Sequence, residues 1–169
     1  MSNENRGAER AVAFATTLAV RDGCLCLHAQ RAARVLARRF DEVLKPAGLT
    51  NGQFSLLMSL NRPGQSGCAE GLAADTAAVA MRDVAGLLGM DRTTLTAAAK
   101  TLERRGLLQV VVDSADRRGR LLRLTAAGLG VLAAAVPIWK REHALLHEEF
   151  EARGASVGGL LGDLRLLVG

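Results

Sequence analysis

The stretch MRDVAGLLGMDRTTLTAAAKTLERRGLL, residues 81–108, decides how this chain folds. Its apolar residues recur at helical spacing in two short segments, 81–89 and 92–106, and each segment ends on a glycine, a residue that readily terminates a helix. Asp91 precedes the second segment and is a favourable N-cap. Two short helices joined by a tight turn that contains glycine form a helix-turn-helix, and we predict that unit here.

The residues that follow predict a β-hairpin with a basic turn. The runs LLQVVVD (107–113) and RLLRLT (120–125) are β-prone, and an arginine-rich turn marked by a glycine separates them. A hairpin directly after a helix-turn-helix is a wing. The predicted fold class is therefore mainly α with a small β-hairpin, that is, a winged helix-turn-helix DNA-binding domain with a helical dimerisation region.

The remaining helices follow from the same spacing and capping rules. They are predicted over 22–45, over 51–60, from the N-cap Thr125 to about 150, and over 157–168. The predicted organisation is a flexible N-terminal tail at 1–20, helices for dimerisation and ligand binding at 21–60, an extended loop at 61–80, the winged helix-turn-helix DNA-binding region at 81–124, and a long helix with a C-terminal dimerisation helix at 125–169.

Composition narrows the function. Hydrophobic residues make up 49% of the 169 residues, enough for a folded core, and aromatics make up 3%, which argues against sites that stack bases or sugars on rings. The net charge of +5 favours a polyanionic partner where the cations cluster. No apolar run reaches the roughly 20 residues of a membrane span, and three cysteines suit a reduced compartment, so we expect a cytoplasmic protein without a membrane partner.

The predicted helix at 92–106 has the features of a helix that enters the major groove of DNA. Helical spacing places Leu95, Ala98, Ala99 and Leu102 on its core side. Short side chains on the other side let a backbone approach a groove about 12 Å wide, and hydroxyls and long cations reach base edges and phosphates. We therefore predict that this side contacts double-stranded DNA through Arg92, Thr93, Thr94, Thr96, Lys100 and Arg104.

The turn within VVDSADRRGRLLRLT (111–125) adds a second set of cations. Arg117 and Arg118, near its tip, are predicted to enter the neighbouring minor groove, which is narrow and electronegative in A·T-rich DNA. Asp116 is predicted to orient one guanidinium through a charge-assisted hydrogen bond. Arg120 and Arg123 are predicted to contact the phosphate backbone or to pair with acids of the protein. The alternative interpretation is a solvated charged turn.

Together these segments resemble the MarR family of bacterial winged-helix repressors. The resemblance runs from about residue 36 to 146 and rests on residues 81–108, on the wing DSADRRGRLLRLTAAG (113–128), and on PAGLTNGQFSLL (46–57), which is similar to the family's second-helix region. It implies a homodimer that binds a pseudo-palindromic operator and switches on a small molecule or on oxidation. The apolar segment VGGLLGDLRLLV (157–168) also favours a dimer, because a second chain would bury it.

Three kinds of effector are compatible with the residues. The first is a small organic anion, including an aromatic carboxylate, held where the first, second and long helices meet. His28, Arg31 and Arg34 would supply the cation, and Phe54 and Trp139 the apolar walls. The alternative interpretation of the arginines is a solvated helix face.

The second is an oxidant acting on Cys24 and Cys26. These cysteines are two apart on a predicted helix, which would place them on nearly opposite sides, so each would react singly. Arg21 and His28 would favour a thiolate. The alternative interpretation is packing as small hydrophobic side chains.

The third is zinc. His143 and His147 are four residues apart on the predicted long helix, and Cys24 and His28 repeat that spacing on the first helix. Each pair is half of a Zn²⁺ site. The alternative interpretation of the histidines is a solvated helix face.

We therefore predict a cytoplasmic, homodimeric DNA-binding transcriptional regulator, a repressor released by a small organic anion or by oxidation, which requires no cofactor. A zinc-responsive regulator of the same fold is one alternative. A winged-helix protein-interaction module without DNA binding is another. We do not predict an enzyme, because no Ser/His/Asp arrangement, phosphate-binding glycine loop or carboxylate pair stands at usable spacing.

Overall fold

The computed structural model describes residues 12–62, 77–113 and 119–168. The chain divides into two compact units, Met1–Arg38 and Arg39–Gly169. Helix α1 (Phe14–Gly23) lies in the first unit, and helix α2 (Leu25–Leu44) begins there and ends in the second.

The predicted flexible tail at 1–20 is wrong from residue 14 onward, because α1 begins at Phe14. The segment FATTLAVRDG holds no proline and no glycine before its last residue, so nothing in it breaks a helix. The first helix was also predicted to run without interruption from residue 22. Cys24 instead adopts an extended backbone, with φ −79° and ψ 104°, and separates α1 from α2.

The second unit contains the predicted helices and the hairpin. Its elements are a 3₁₀ turn (Lys45–Ala47), α3 (Asn51–Leu60), β1 (Val79–Ala80), α4 (Met81–Leu88), α5 (Arg92–Arg104), β2 (Leu108–Val112), β3 (Arg120–Leu124), α6 (Ala126–Glu151) and α7 (Val157–Arg165). Three caps fix the starts of α3, α5 and α6, since Thr50, Asp91 and Thr125 accept hydrogen bonds from backbone N–H groups in the first turn. The mainly α fold class with a small sheet is confirmed.

The sheet has three antiparallel strands in the order β1-β3-β2. Leu122 in the central strand pairs with Val110 on one side and with Val79 on the other. The strand β1 corrects the prediction of an extended loop up to residue 80. Two residues are too short for a periodic signal, and β1 forms because Val79 is buried and pairs with the open edge of β3. Residues 63–76 lie outside the described part of the chain.

The core of the second unit holds α5 in place. Leu95 and Leu102 are fully buried and Ala99 is 1% exposed, so one side of α5 packs against the leucine-rich core formed with α3, α4 and the sheet. Gly89 ends α4 with φ 61°, in the left-handed region that glycine adopts readily. The helix pair α4–α5 followed by the hairpin β2–β3 is the predicted winged helix-turn-helix arrangement.

The start of α6 is attached to the turn that follows α5. The Thr125 hydroxyl donates to the Gly106 carbonyl over 2.7 Å, and the Thr125 N–H donates to the Leu107 carbonyl over 3.2 Å. Farther along α6, Glu142 and Glu149 accept hydrogen bonds from Arg39 in α2, and the Arg39 guanidinium lowers the pKa of Glu149. The long helix is thus tied to the helix-turn-helix at one end and to α2 near the other.

Candidate nucleic-acid interface

The exposed surface of α5 carries the side chains that the sequence singled out. Arg92, Thr93, Thr94, Thr96, Lys100 and Arg104 are all exposed, and Thr93, Lys100 and Arg104 lie on the side opposite the buried residues of the helix. The predicted orientation of α5 is therefore observed. Contact of these side chains with DNA stays a prediction.

The threonine hydroxyls of α5 are not equivalent. Thr94 Oγ1 donates to Asp91 Oδ2 over 2.6 Å, and the same carboxylate accepts the Thr94 backbone N–H. These bonds hold the pKa of Asp91 below its ordinary value. Thr96 Oγ1 donates to the Arg92 carbonyl over 2.7 Å. The Thr93 hydroxyl makes no hydrogen bond to the residues that the structure describes, so its donor and acceptor capacity is available to a base or phosphate.

Replacing Thr93 by alanine is expected to lower the preference for specific over nonspecific DNA about fivefold, the loss of roughly one hydrogen bond, without changing the melting temperature. Replacing Thr94 is expected to lower the melting temperature, because it removes a side-chain bond to the N-cap. Fluorescence anisotropy and thermal unfolding of both variants measure the two effects. A Thr93→Ala variant that melts early and keeps its DNA preference would assign the hydroxyl to stability instead.

The strand β3 of the wing carries two exposed arginines, Arg120 and Arg123. Arg123 lies opposite Gln109 and Arg120 opposite Val112, and both arginines are exposed. Arg120 Nη1 donates to the Gly119 carbonyl over 3.0 Å. The wing-tip residues Asp116, Arg117 and Arg118 fall in 114–118, outside the described residues, so their predicted roles stay predictions.

A cavity of about 450 Å³ lies between the start of α5, α4 and the part of the wing next to its turn. Arg92 and Arg120 line it together with Arg82 of α4, so cations from three elements meet there. Sequence reasoning missed Arg82. It occupies the second position of a short amphipathic helix, and nothing in its local pattern distinguishes it from a solvated cation; only the fold brings it beside the other two arginines.

A second cavity, of about 500 Å³ and largely apolar, lies between α3, α4 and α6. Its walls include Phe54 and Trp139, which were predicted as ligand-binding residues and whose ring centroids lie 6.1 Å apart in a stacked arrangement. The remaining lining is Ser55, Met58, Ser59, Leu87, Leu88, Val136 and Lys140. The structure thus brings the two predicted apolar walls together.

The cations predicted to bind the ligand together with Phe54 and Trp139 belong to the first unit. His28, Arg31 and Arg34 are exposed there, and His28 Nε2 lies 3.2 Å from the Asp22 carbonyl oxygen. Within the second unit, Lys140 is the charged residue that lines the cavity. Sequence reasoning did not name Lys140, although it directly follows Trp139 on the same helix.

The cysteines require a correction of the helical argument. Cys26 is exposed on α2, whereas Cys24 is half-buried in the break between α1 and α2. Because Cys24 has an extended backbone, helical spacing does not determine the relative directions of the two thiols. Their predicted role in redox sensing stays a prediction.

The predicted zinc ligands differ in environment. His143 packs between the rings of Phe40 and Trp139, at centroid distances of 4.9 and 4.1 Å, and burial lowers its pKa, with a further contribution from His147. His147 is exposed. Among the described residues, no three histidine, cysteine, aspartate or glutamate side chains are grouped so as to hold a metal ion. The pairing of Cys24 with His28 likewise stays a prediction.

Solved structures similar to this one include transcriptional regulators in complex with DNA. The transcriptional regulator MosR of M. tuberculosis in complex with DNA is 31% identical, with 86% of this chain and 93% of that chain covered and a TM-score of 0.69. The transcriptional repressor CouR bound to a 23-mer DNA duplex is 26% identical, with 89% and 96% covered and a TM-score of 0.68. A mutant MarR of E. coli complexed with operator DNA shares the fold at 20% identity, with 89% and 95% covered and a TM-score of 0.65.

Comparisons of the sequence with family models and with curated proteins find no match. In the ranges that the structure describes, no helix has both the length and the apolar character needed to cross a membrane. The helix pair α4–α5, the adjoining wing and the likeness to MosR over most of both chains lead to one conclusion. The chain belongs to the MarR family of winged helix-turn-helix, DNA-binding transcriptional regulators.

Proposed function

We propose that this regulator is a cytoplasmic, homodimeric repressor that binds a pseudo-palindromic operator and is released by a small organic anion. The proposed binding to an operator rests on the two different sides of α5. Leu95 and Leu102 are fully buried on one side, and hydroxyls and cations are exposed on the other. Such a helix is suited to the major groove, because the core holds one side in place while the other presents short side chains and cations to the DNA.

Exposed apolar side chains support the dimer. Helix α7 buries none of its residues in the single chain. Its leucines and those that follow it remain exposed, from 40% at Leu164 to 83% at Leu166. A monomer rarely exposes so many apolar residues in succession, and a second copy of the chain would cover them. A two-fold dimer would present its two copies of α5 about 34 Å apart, one turn of B-DNA.

Binding to DNA from the region flanking its own gene tests the proposal. The dimer is expected to bind that DNA more tightly than random DNA of equal length, with an affinity that falls steeply as salt rises. Analytical ultracentrifugation of the same samples gives the oligomeric state. A chain that shows no salt-dependent DNA affinity would instead fit the protein-interaction module.

The apolar cavity between α3, α4 and α6 is the proposed effector site. Stacked rings, aliphatic walls and the single ammonium of Lys140 match an aromatic or other amphipathic carboxylate. Leu87 and Leu88 of α4 line the cavity, so an occupant touches the helix that precedes α5. Binding there would bias the position of α5 only if the occupant prefers one arrangement of α4 over another.

The concentration of benzoate or 4-hydroxybenzoate that releases half of the bound DNA is expected to rise about tenfold in Lys140→Ala. The physical reason is the loss of the ammonium that faces the carboxylate. Arg141→Ala is the matched control, since Arg141 is the next residue of α6, is exposed and does not line the cavity. An equal effect of both substitutions would remove Lys140 from the effector site.

Release by oxidation is the second route, and it is favoured by the placement of Cys24 outside a helix with Cys26 exposed two residues later. Hydrogen peroxide is then expected to release the DNA from the parent chain and not from the double variant Cys24→Ser/Cys26→Ser, and the two single variants show which thiol reacts. Zinc sulfate serves as a third arm of the same assay and tests the zinc-responsive alternative.

A further inference from the structure

Arg105 directly follows α5, and its guanidinium is occupied by the protein. Its Nη1 donates to Gln53 Oε1 over 3.1 Å, and its Nη2 donates to the Gly48 carbonyl over 2.8 Å. These two bonds join the end of α5 to a segment more than fifty residues earlier. Arg105 is exposed, but both of its bonded nitrogens point to acceptors on the same chain.

Both acceptors lie at the start of α3, in its capping box and in the turn just before it. Gln53 Oε1 also accepts the Thr50 N–H over 3.2 Å, and the Thr50 hydroxyl accepts the Gln53 N–H, so the pair forms the capping box of α3. Gly48 has φ 67°, and a Cβ at that position would come within 3.4 Å of Arg105 Nη2. The guanidinium therefore fits closely against a constrained turn.

The neighbouring cations of α5 are different. Lys100 and Arg104 are exposed and form no hydrogen bond or ion pair with the described residues. They are available to phosphates, whereas the Arg105 guanidinium already donates hydrogen bonds to Gln53 and Gly48. Adjacent arginines at the same helix end thus have different environments.

We propose that Arg105 is a positioning residue, which fixes the carboxyl end of α5 against α3 and thereby sets the angle at which the exposed side of α5 meets DNA. The inference rests on the DNA-binding role of α5. Thirteen helical residues span about 20 Å, so a tilt of roughly 5° about the Asp91 end would displace Arg104 by about 1.7 Å. That displacement is enough to weaken contacts with phosphates and base edges.

Salt titrations of operator binding distinguish a positioning residue from a phosphate contact. Arg105→Ala is expected to weaken operator binding roughly five- to tenfold and to leave the slope of log K against log[salt] at the parent's value. Arg104→Ala, the matched neighbour, is expected to make that slope shallower by about one. A slope in Arg105→Ala that is shallower by the same amount would show a phosphate contact and overturn the proposal.

A double-mutant cycle with Gln53→Ala supplies the second readout. If Arg105 acts through Gln53, Arg105→Ala is expected to weaken operator binding less in the Gln53→Ala background than in the parent. The loss of the α3 cap cancels in this comparison because it is present both before and after the Arg105 substitution. Effects that simply multiply would overturn the proposal.

Thermal unfolding of each variant sets a temperature at which all are folded. Arg105→Lys keeps the charge but has one donor nitrogen, which cannot reach both acceptors as the guanidinium does, so it is expected to bind with intermediate affinity at the parent's slope. Failure of the parent chain itself to bind DNA with salt dependence would overturn both the proposed function and this inference. A normal parent with a shallower slope in Arg105→Ala overturns this inference alone.

Discussion

Replacing Arg92, Lys100 and Arg104 together by alanine is expected to weaken operator binding by on the order of a hundredfold or more at about 0.15 M salt. All three side chains of α5 are exposed. If each neutralises one phosphate, the slope of log K against log[salt] becomes shallower by about 2.7, because each phosphate contact on duplex DNA contributes roughly 0.9. Fluorescence anisotropy at several salt concentrations measures both quantities.

The matched control removes the same charge elsewhere. Arg62, Arg141 and Arg153 are exposed and lie after α3, on α6 and after α6, away from α5 in the chain. Their joint replacement lowers the net charge by the same three units. If the control triple loses as much slope as the α5 triple, general charge rather than the surface of α5 governs DNA affinity.

Replacing Gly128 by alanine is expected to lower the free energy of unfolding by about 3 kcal/mol, at the upper end of the usual cost of overpacking. A Cβ at this position would lie 2.1 Å from the Leu107 carbonyl oxygen and 2.8 Å from a Leu124 methyl group. The carbonyl cannot easily retreat, because it accepts the Thr125 N–H in the link that attaches α6 to the turn after α5. Equilibrium urea unfolding at one fixed protein concentration measures the change.

Gly130 offers the control two residues along the same helix. It is exposed, and a Cβ there meets nothing within 4 Å. Gly130→Ala is expected to stabilise the protein by up to about 1 kcal/mol, because alanine has the better helix propensity. Two substitutions with effects of the same sign and size would contradict the close packing of α6 on Leu107.

Local chemistry made α5 and its surroundings predictable. The signals for α5 lie close together in the sequence. They are the N-cap Asp91, Gly89 in the preceding turn, and the spacing of Leu95 and Leu102, and the structure contains all of them. The start of α6 at Thr125 follows for the same reason. Caps and helical periods depend on neighbours in sequence, so they can be derived without the rest of the fold.

The features that sequence reasoning missed depend on distant partners. The strand β1 exists because Val79 pairs with Leu122, more than forty residues away. Arg82 joins the candidate interface, and Lys140 the apolar cavity, only because packing brings their helices beside other elements. The break at Cys24 was missed because the apolar spacing continues across it. Position 24 itself holds neither glycine nor proline, although Gly23 precedes it.

The most direct test of DNA recognition by α5 is methylation interference with the parent chain on DNA that flanks its own gene. Guanine N7 faces the major groove and adenine N3 faces the minor groove. A helix inserted in the major groove predicts that N7 methylation blocks binding at guanines in two zones about one helical turn apart. Interference confined to adenine N3, or none at any base, would contradict recognition through the exposed side of α5.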